Sequence, residues 1–253
     1  VGPMLGPMLG GTLDTLFGWR AIFWLYAAMG LVLFALAWWD MGETRGLGKT
    51  LPKRSLLHGL GLFRYPRFWA YGLCMAFSTG AFFIFLTGAP LVAREIFGVS
   101  SATLGLYVGS ITAGFMTGSF LSGRLAKRVS PTTLILAGRL SACLGPSLGL
   151  LAAAFGALSP LTCFGATIFV GLGNGLTTPN GNAKAMSVDP ERIGAAAGFA
   201  GAMNVGIGSV LTLIAGFVVA GPKAASLLLT LMLVSSAIGL AAILWAIRLE
   251  RAG

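Results

Sequence analysis

The stretch Ala224–Ile247, AASLLLTLMLVSSAIGLAAILWAI, runs for 24 residues without a charge. As a helix it rises about 36 Å, more than the ~30 Å hydrocarbon core of a bilayer. Six further stretches read the same way: Arg20–Trp39, Phe68–Pro90, Leu104–Arg124, Pro131–Phe155, Pro160–Pro179 and Gly194–Gly221. Val1–Phe17 is a shorter apolar stump of an eighth. None shows the alternation over about 10 residues that marks a barrel strand. The fold class is therefore an all-α membrane protein with about eight transmembrane helices.

Composition agrees with the spans. The 253 residues include only 17 basic and 7 acidic side chains, so 9% are charged, against about 25% in a soluble domain. Apolar residues make up 56% and mean hydropathy is +0.88. Too few charges exist to cover a water-exposed surface, and a disordered chain would be poor in apolar residues. The net charge of +10 does not point to nucleic acid, because the basic residues lie between apolar runs rather than among stacking aromatics. Cys74, Cys143 and Cys163 all fall inside apolar stretches, and His58 is the sole histidine. Neither a disulfide framework, a metal site nor a histidine-centred triad follows from them. Paired carboxylates at membrane depth are also missing, so an enzyme is not expected.

Charge asymmetry predicts the orientation. Arg45, Lys49, Lys53, Arg54, Arg64, Arg67, Arg124, Lys127, Arg128, Lys184, Arg192, Arg248 and Arg251 all fall on one side of the predicted spans. Arg20, Arg94 and Lys223 fall on the other. The positive-inside rule puts the first side, with the C-terminus, in the cytoplasm. The longest polar stretch, Asp40 to Arg67, is the one candidate domain boundary. It divides residues 1–45, the end of a first helix bundle, from an inter-bundle loop at 46–67 and a six-helix bundle at 68–253. Val1 is not methionine, and its segment lacks the arrangement of a signal peptide. The sequence is expected to be the C-terminal part of a longer protein, entered within a helix.

Three motifs carry more specific information. Gly2, Gly6 and Gly10 recur every fourth residue, giving a smooth helix face that another backbone can approach. Pro7 bends the same helix. The pattern Gly2-xxx-Gly6-Pro7-xx-Gly10-Gly11 resembles the antiporter motif in the fifth helix of major facilitator drug exporters. Gly18-Trp19-Arg20-x-x-Phe23 and Glu43-Thr44-Arg45 resemble their bicyclomycin/chloramphenicol-resistance type of drug:proton antiporter. On that resemblance the chain supplies helices five to twelve of twelve. Gly123-Arg124-Leu125-Ala126-Lys127-Arg128 is similar to the family's Gly-x-Leu-x-x-Arg loop motif at Gly123, Leu125 and Arg128, with Lys127 where the fuller version has aspartate. There Gly123 would allow a tight turn, although a plain basic membrane anchor reads equally well. Gly194–Gly206 is similar to the subfamily's eleventh-helix pattern, with Asn204 in place of its common glutamine.

Candidate cavity-lining residues are Phe77, Phe85, Met116, Asn174, Met203 and Asn204, because aromatic, Met and amide groups suit varied apolar ligands. Asn204 either lines the cavity or bonds a neighbouring helix. Asn180 and Asn182 read as a helix end or the following loop. Arg139 is the one charge inside a span, about nine residues, or ~13 Å, from the cytoplasmic end. Snorkelling toward that surface is the favoured reading, and a functional intramembrane charge is its competitor.

The resemblance implies a secondary transporter exporting hydrophobic or amphipathic drugs by alternating access. A proton gradient would supply the energy, with no bound cofactor. Its main proton-carrying acid would lie in earlier helices, so this portion alone would not transport. Expected partners are drugs or metabolites, protons and lipid, with no nucleic acid, and the chain is expected as a monomer in a bacterial inner membrane. Two alternatives remain at this stage: a major facilitator exporter or permease for a sugar or amino acid, and a non-transporting receptor or assembly subunit.

Overall fold

The computed structural model describes residues 13, 16–40, 59–99 and 101–252. The chain divides into two compact units, Val1–Leu56 and Leu57–Gly253. In the first, helix α1 (Arg20–Asp40) buries none of its residues. Gly18 precedes it in the left-handed region at φ 76°, which turns the chain into the helix without a Cβ clash. Trp19 stacks edge-on against Phe23, and the Arg20 guanidinium lies 4.6 Å from the Trp19 ring centre.

The second unit is a bundle of six long helices: α2 (Pro66–Leu91), α3 (Ser101–Leu125), α4 (Pro131–Ala154), α5 (Pro160–Met186), α6 (Ile193–Val218) and α7 (Ala224–Arg251). Their starts are chemically marked. Ser130 and Ser159 accept the backbone N–H of Thr133 and Thr162, and a proline follows each at the first helical position. Gly98, Gly156 and Gly221, all at positive φ, turn the chain beyond α2, α4 and α6. Among the described residues, α1, α2, α4, α5, α6 and α7 are each long and apolar enough to cross a membrane. Helix α3, at 25 residues, has the length to span as well and is rich in Gly, Ser and Thr.

Those small residues have a structural role. In lipid, helices gain little by hydrophobic association and depend on close packing through small residues. A Cβ on Gly114 or Gly118 of α3 would overlap the carbonyls of Ile168 and Leu172, and one on Gly171 or Gly175 of α5 would overlap those of Ile111 and Phe115. The opposite face of α5 meets α4 in the same way, Gly173 against the Gly138 carbonyl and Gly145 against that of Ala166. Helix α5 is therefore held between two backbones at contact distance. Helix α2 packs on α7 and α6, with Gly88 against Leu228 and Gly208 against Phe83.

Two apolar cores result. One gathers Ile84, Phe85, Phe164, Val170, Leu228 and Met232, the other Leu62, Phe68, Ile135, Ile243 and Ala246. Leu62 belongs to a 3-10 turn, Gly61–Arg64, and is fully buried. Leu62, assigned by sequence to the inter-bundle loop, thus packs on the bundle.

The sequence also places a helix end at Pro179, but α5 continues to Met186 with Pro179 inside it. A proline disturbs the carbonyls three and four residues before it. Here the Asn180 side chain, directly after Pro179, donates to Leu176 O at 2.7 Å. Pro146 in α4 is handled alike: Ser147 Oγ donates to Cys143 O at 2.8 Å. Asn180 is consequently a buried helical residue rather than a cap, and its amide also donates to Ser122 Oγ of α3 at 2.8 Å.

Adding a methyl at Gly171 would force the α3–α5 backbones apart, at a cost of about 3 kcal/mol or more. Gly165→Ala, on the same helix with nothing within 4 Å, should instead stabilise by about 0.5–1 kcal/mol. Denaturation of the purified Gly171→Ala and Gly165→Ala variants in detergent checks the pair.

Candidate functional site

Between the two apolar cores lies a layer of buried polar side chains. Ser78 (α2), Arg139 (α4), Asn174 and Thr177 (α5), and Ser235 and Ser236 (α7) are each no more than 5% exposed. Asn174 Oδ1 accepts from Ser78 Oγ at 2.7 Å and from Arg139 Nη2 at 2.7 Å. Arg139 Nε donates to Thr177 Oγ1 at 3.0 Å, and that hydroxyl donates to Gly173 O at 2.8 Å. A guanidinium can only donate. It therefore fixes which way the Asn174 amide faces, oxygen toward Arg139 and nitrogen away.

Arg139 does not snorkel. It is 0% exposed. The Gly138–Gly173 contact brings α4 so near to α5 that the guanidinium reaches acceptors on α5 within its own layer. Among the described residues no carboxylate pairs with it. Its ionisable neighbours are Cys74 and Cys143, neither of which is a fixed anion. Nη1 is sealed and makes no hydrogen bond.

A second polar cluster closes the bundle at the end where α2 begins. Glu250 of α7 accepts from Tyr71 at 2.6 Å, Lys184 at 2.8 Å and Thr132 at 3.2 Å, tying α2, α5 and α4 to the end of α7. Beside it lies a cleft of about 390 Å³ bordered by Tyr65, Arg67, Lys184, Val188 and Leu249. Arg67 Nη2 donates to Leu249 O at 3.0 Å, which fastens the start of α2 to the same place.

The candidates named from sequence scatter accordingly. Asn174 and Arg139 meet in the polar layer. Phe85 is a core residue, fully buried and edge-on to Phe164 at 6.2 Å. Phe77 is half-buried and contributes its carbonyl, which accepts from Ser235 Oγ at 2.7 Å. Met203 of α6 is half-buried facing Gly72, and Met116 of α3 is 38% exposed. Asn204 of α6 is half-buried, and its Oδ1 is sealed without a partner. Gly123 lies within α3 with open space around it, not in a turn. Leu125 ends that helix, and Arg128 is exposed in the turn beyond. Gly2, Gly6, Pro7, Gly10 and Gly11 lie outside the described residues. Sequence reading missed Ser78, Thr177 and Ser236. Single hydroxyls in apolar runs carry no signal of their own, although Thr177 follows Asn174 by three and so shares its helix face.

A bundle of long apolar helices around a buried polar layer defines a polytopic helical membrane protein. Residues 1–213 match the family model of the Major Facilitator Superfamily, and the chain belongs to that superfamily, whose members are transporters rather than enzymes. It is 31% identical over 237 residues to Multidrug resistance protein D of Escherichia coli strain K12, covering 92% of this chain and 58% of that protein. Identity is 27% over 213 residues to a bicyclomycin resistance protein homolog of Haemophilus influenzae, covering 83% and 53% respectively. A chloramphenicol resistance protein of Pseudomonas aeruginosa matches at 32% over 142 residues, 52% of this chain and 31% of that one. The chain spans about half the length of the first two of these relatives.

Removing the acceptor strands the buried cation. Asn174→Leu should cost about 3 kcal/mol or more in the native background. In an Arg139→Met background the same change should cost at least about 1 kcal/mol less. A double-mutant cycle on unfolding in detergent measures that coupling.

Proposed function

We propose that the chain is part of a proton-coupled drug exporter working by alternating access. The observation that carries this reading is its similarity, over most of its length, to proteins named for multidrug and bicyclomycin resistance. The physical features fit. The interlocked α3–α4–α5 backbones favour motion of the bundle as a rigid body, which is what rocking between inward-open and outward-open states requires. Among the described residues no Asp or Glu lies at mid-depth of a span, so the proton carrier belongs to helices other than those described here. The excess of basic residues on one side supports a cytoplasmic C-terminus in a bacterial inner membrane. The transported molecules would be neutral or amphipathic drugs, held against half-buried groups such as Phe77 and Met203. The Gly2–Gly11 helix would lie at the moving seam, where its small residues let two helices slide.

Expression of the gene in a drug-hypersensitive bacterium should raise the inhibitory concentrations of chloramphenicol and bicyclomycin, and a protonophore should abolish the drug efflux. Gly10→Leu should reach the membrane at normal levels yet lose resistance. Unchanged susceptibility despite membrane insertion of the unaltered protein would overturn the reading.

A further inference from the structure

Three helix ends meet at the cleft beside Glu250: the start of α2, the end of α5 and the end of α7. One N-terminus and two C-termini give no net main-chain dipole in favour of an anion. The side chains decide its charge. Arg67 and Lys184 both line it, and Glu250 is the one carboxylate among its lining residues. Glu250 already has partners, Tyr71 and Lys184 on Oε1 and Thr132 on Oε2. The two cations still have donors to give. A guanidinium carries five N–H groups and an ammonium three. Arg67 uses Nη2 on Leu249 O, and Lys184 uses one hydrogen on Glu250. Among the described residues no carboxylate pairs with Arg67, nor with Arg248 or Arg251 in the last turn of α7.

The chain leading into the cleft offers no acid to match. Residues 44–67 contain six basic side chains and neither Asp nor Glu. The depth of the cleft points to a different source. Tyr65, at the start of α2, is 39% exposed, and Trp245, five residues before Glu250 on α7, is 41% exposed. Exposed Tyr and Trp near the ends of spans mark the membrane–water interface. The cleft therefore lies at the level of lipid headgroups. Its volume of about 390 Å³ is that of a ligand pocket, which occupies ~300–1,000 Å³. Val188 and Leu249 give it an apolar wall beside the two cations.

We propose that this cleft binds the phosphodiester headgroup of one anionic phospholipid, such as phosphatidylglycerol, with Arg67 and Lys184 donating to the phosphate oxygens. Basic pockets between spans at headgroup level recognise lipids in this way. The acyl chains stay in the bilayer, and the phosphate links the start of α2 to the end of α5. A zwitterionic headgroup has the same phosphate but brings an ammonium into a cleft that already holds two cations. The inference is independent of what the protein transports.

The test measures thermal unfolding of the purified protein in one detergent, supplemented with phosphatidylglycerol, with phosphatidylcholine or with soluble glycerol phosphate. Phosphatidylglycerol should raise Tm by about 2–4 °C over phosphatidylcholine, as a ligand at several times its dissociation constant does for a chain of this size. Glycerol phosphate at the same concentration should not. Arg67→Gln should lose the shift, and so should Val188→Trp, which keeps both cations and fills the cleft. Arg128→Gln, in the exposed turn beyond α3, should keep it. Native mass spectrometry of the unaltered protein in an equal mixture of the two lipids should show phosphatidylglycerol retained in preference. Equal Tm in the two lipids, a shift that survives either cleft variant, or equal retention would each overturn the proposal. The full shift with glycerol phosphate alone would overturn the lipid as its source and assign the cleft to a free phosphate ester.

Discussion

The bundle depends on backbone contact at α5. Glycines on opposite faces of this helix, Gly171 and Gly175 toward α3 and Gly173 toward α4, let three main chains meet with no side chain between them. Within a bilayer this is the available source of affinity, since lipid tails solvate apolar side chains as well as a neighbouring helix does. The contact also explains why α3 is rich in Gly, Ser and Thr. Its small residues are the surface that α5 needs.

The same closeness creates the polar layer. With Gly138 against Gly173, the Arg139 side chain finds Asn174 and Thr177 before it can reach either membrane surface. Asn174 in turn holds Ser78 of α2, so one amide oxygen joins three helices. A hydrogen-bonded cation at depth adds little net stability, but it penalises misalignment, because any slip of α4 along α5 leaves the charge unpaired. At the end of the bundle Glu250 does the corresponding work for α2, α4, α5 and α7. In a drug exporter of the kind proposed, these two fixed layers would keep the bundle rigid while the binding surface stays apolar and adaptable.

The helices were legible in the sequence because each is a long run with few charges, and Pro131 and Pro160 mark two starts. Family membership was legible in Gly2–Gly11, even though those residues lie outside the described part. The end of α5 was not legible. Pro179 reads as a stop, and only the Asn180 amide, placed by the fold on Leu176 O, shows how the helix passes it. Burial of Phe85 and of Arg139 was hidden for a different reason. In a membrane chain every face of a helix is apolar, so periodicity does not distinguish core from lipid, and the side on which a residue points is decided by which glycines meet.

The central claim is that Arg139 is sealed between α4 and α5. Cysteine accessibility addresses it most directly, using Arg139→Cys with Cys74, Cys143 and Cys163 replaced by alanine. A charged, membrane-impermeant thiol reagent is applied to intact cells and to inverted vesicles, with Arg128→Cys in the exposed turn as the reactive control. The structure predicts no labelling at position 139 from either side while position 128 reacts readily. Labelling at 139 from one face would contradict a sealed position and restore a side chain that snorkels to that surface.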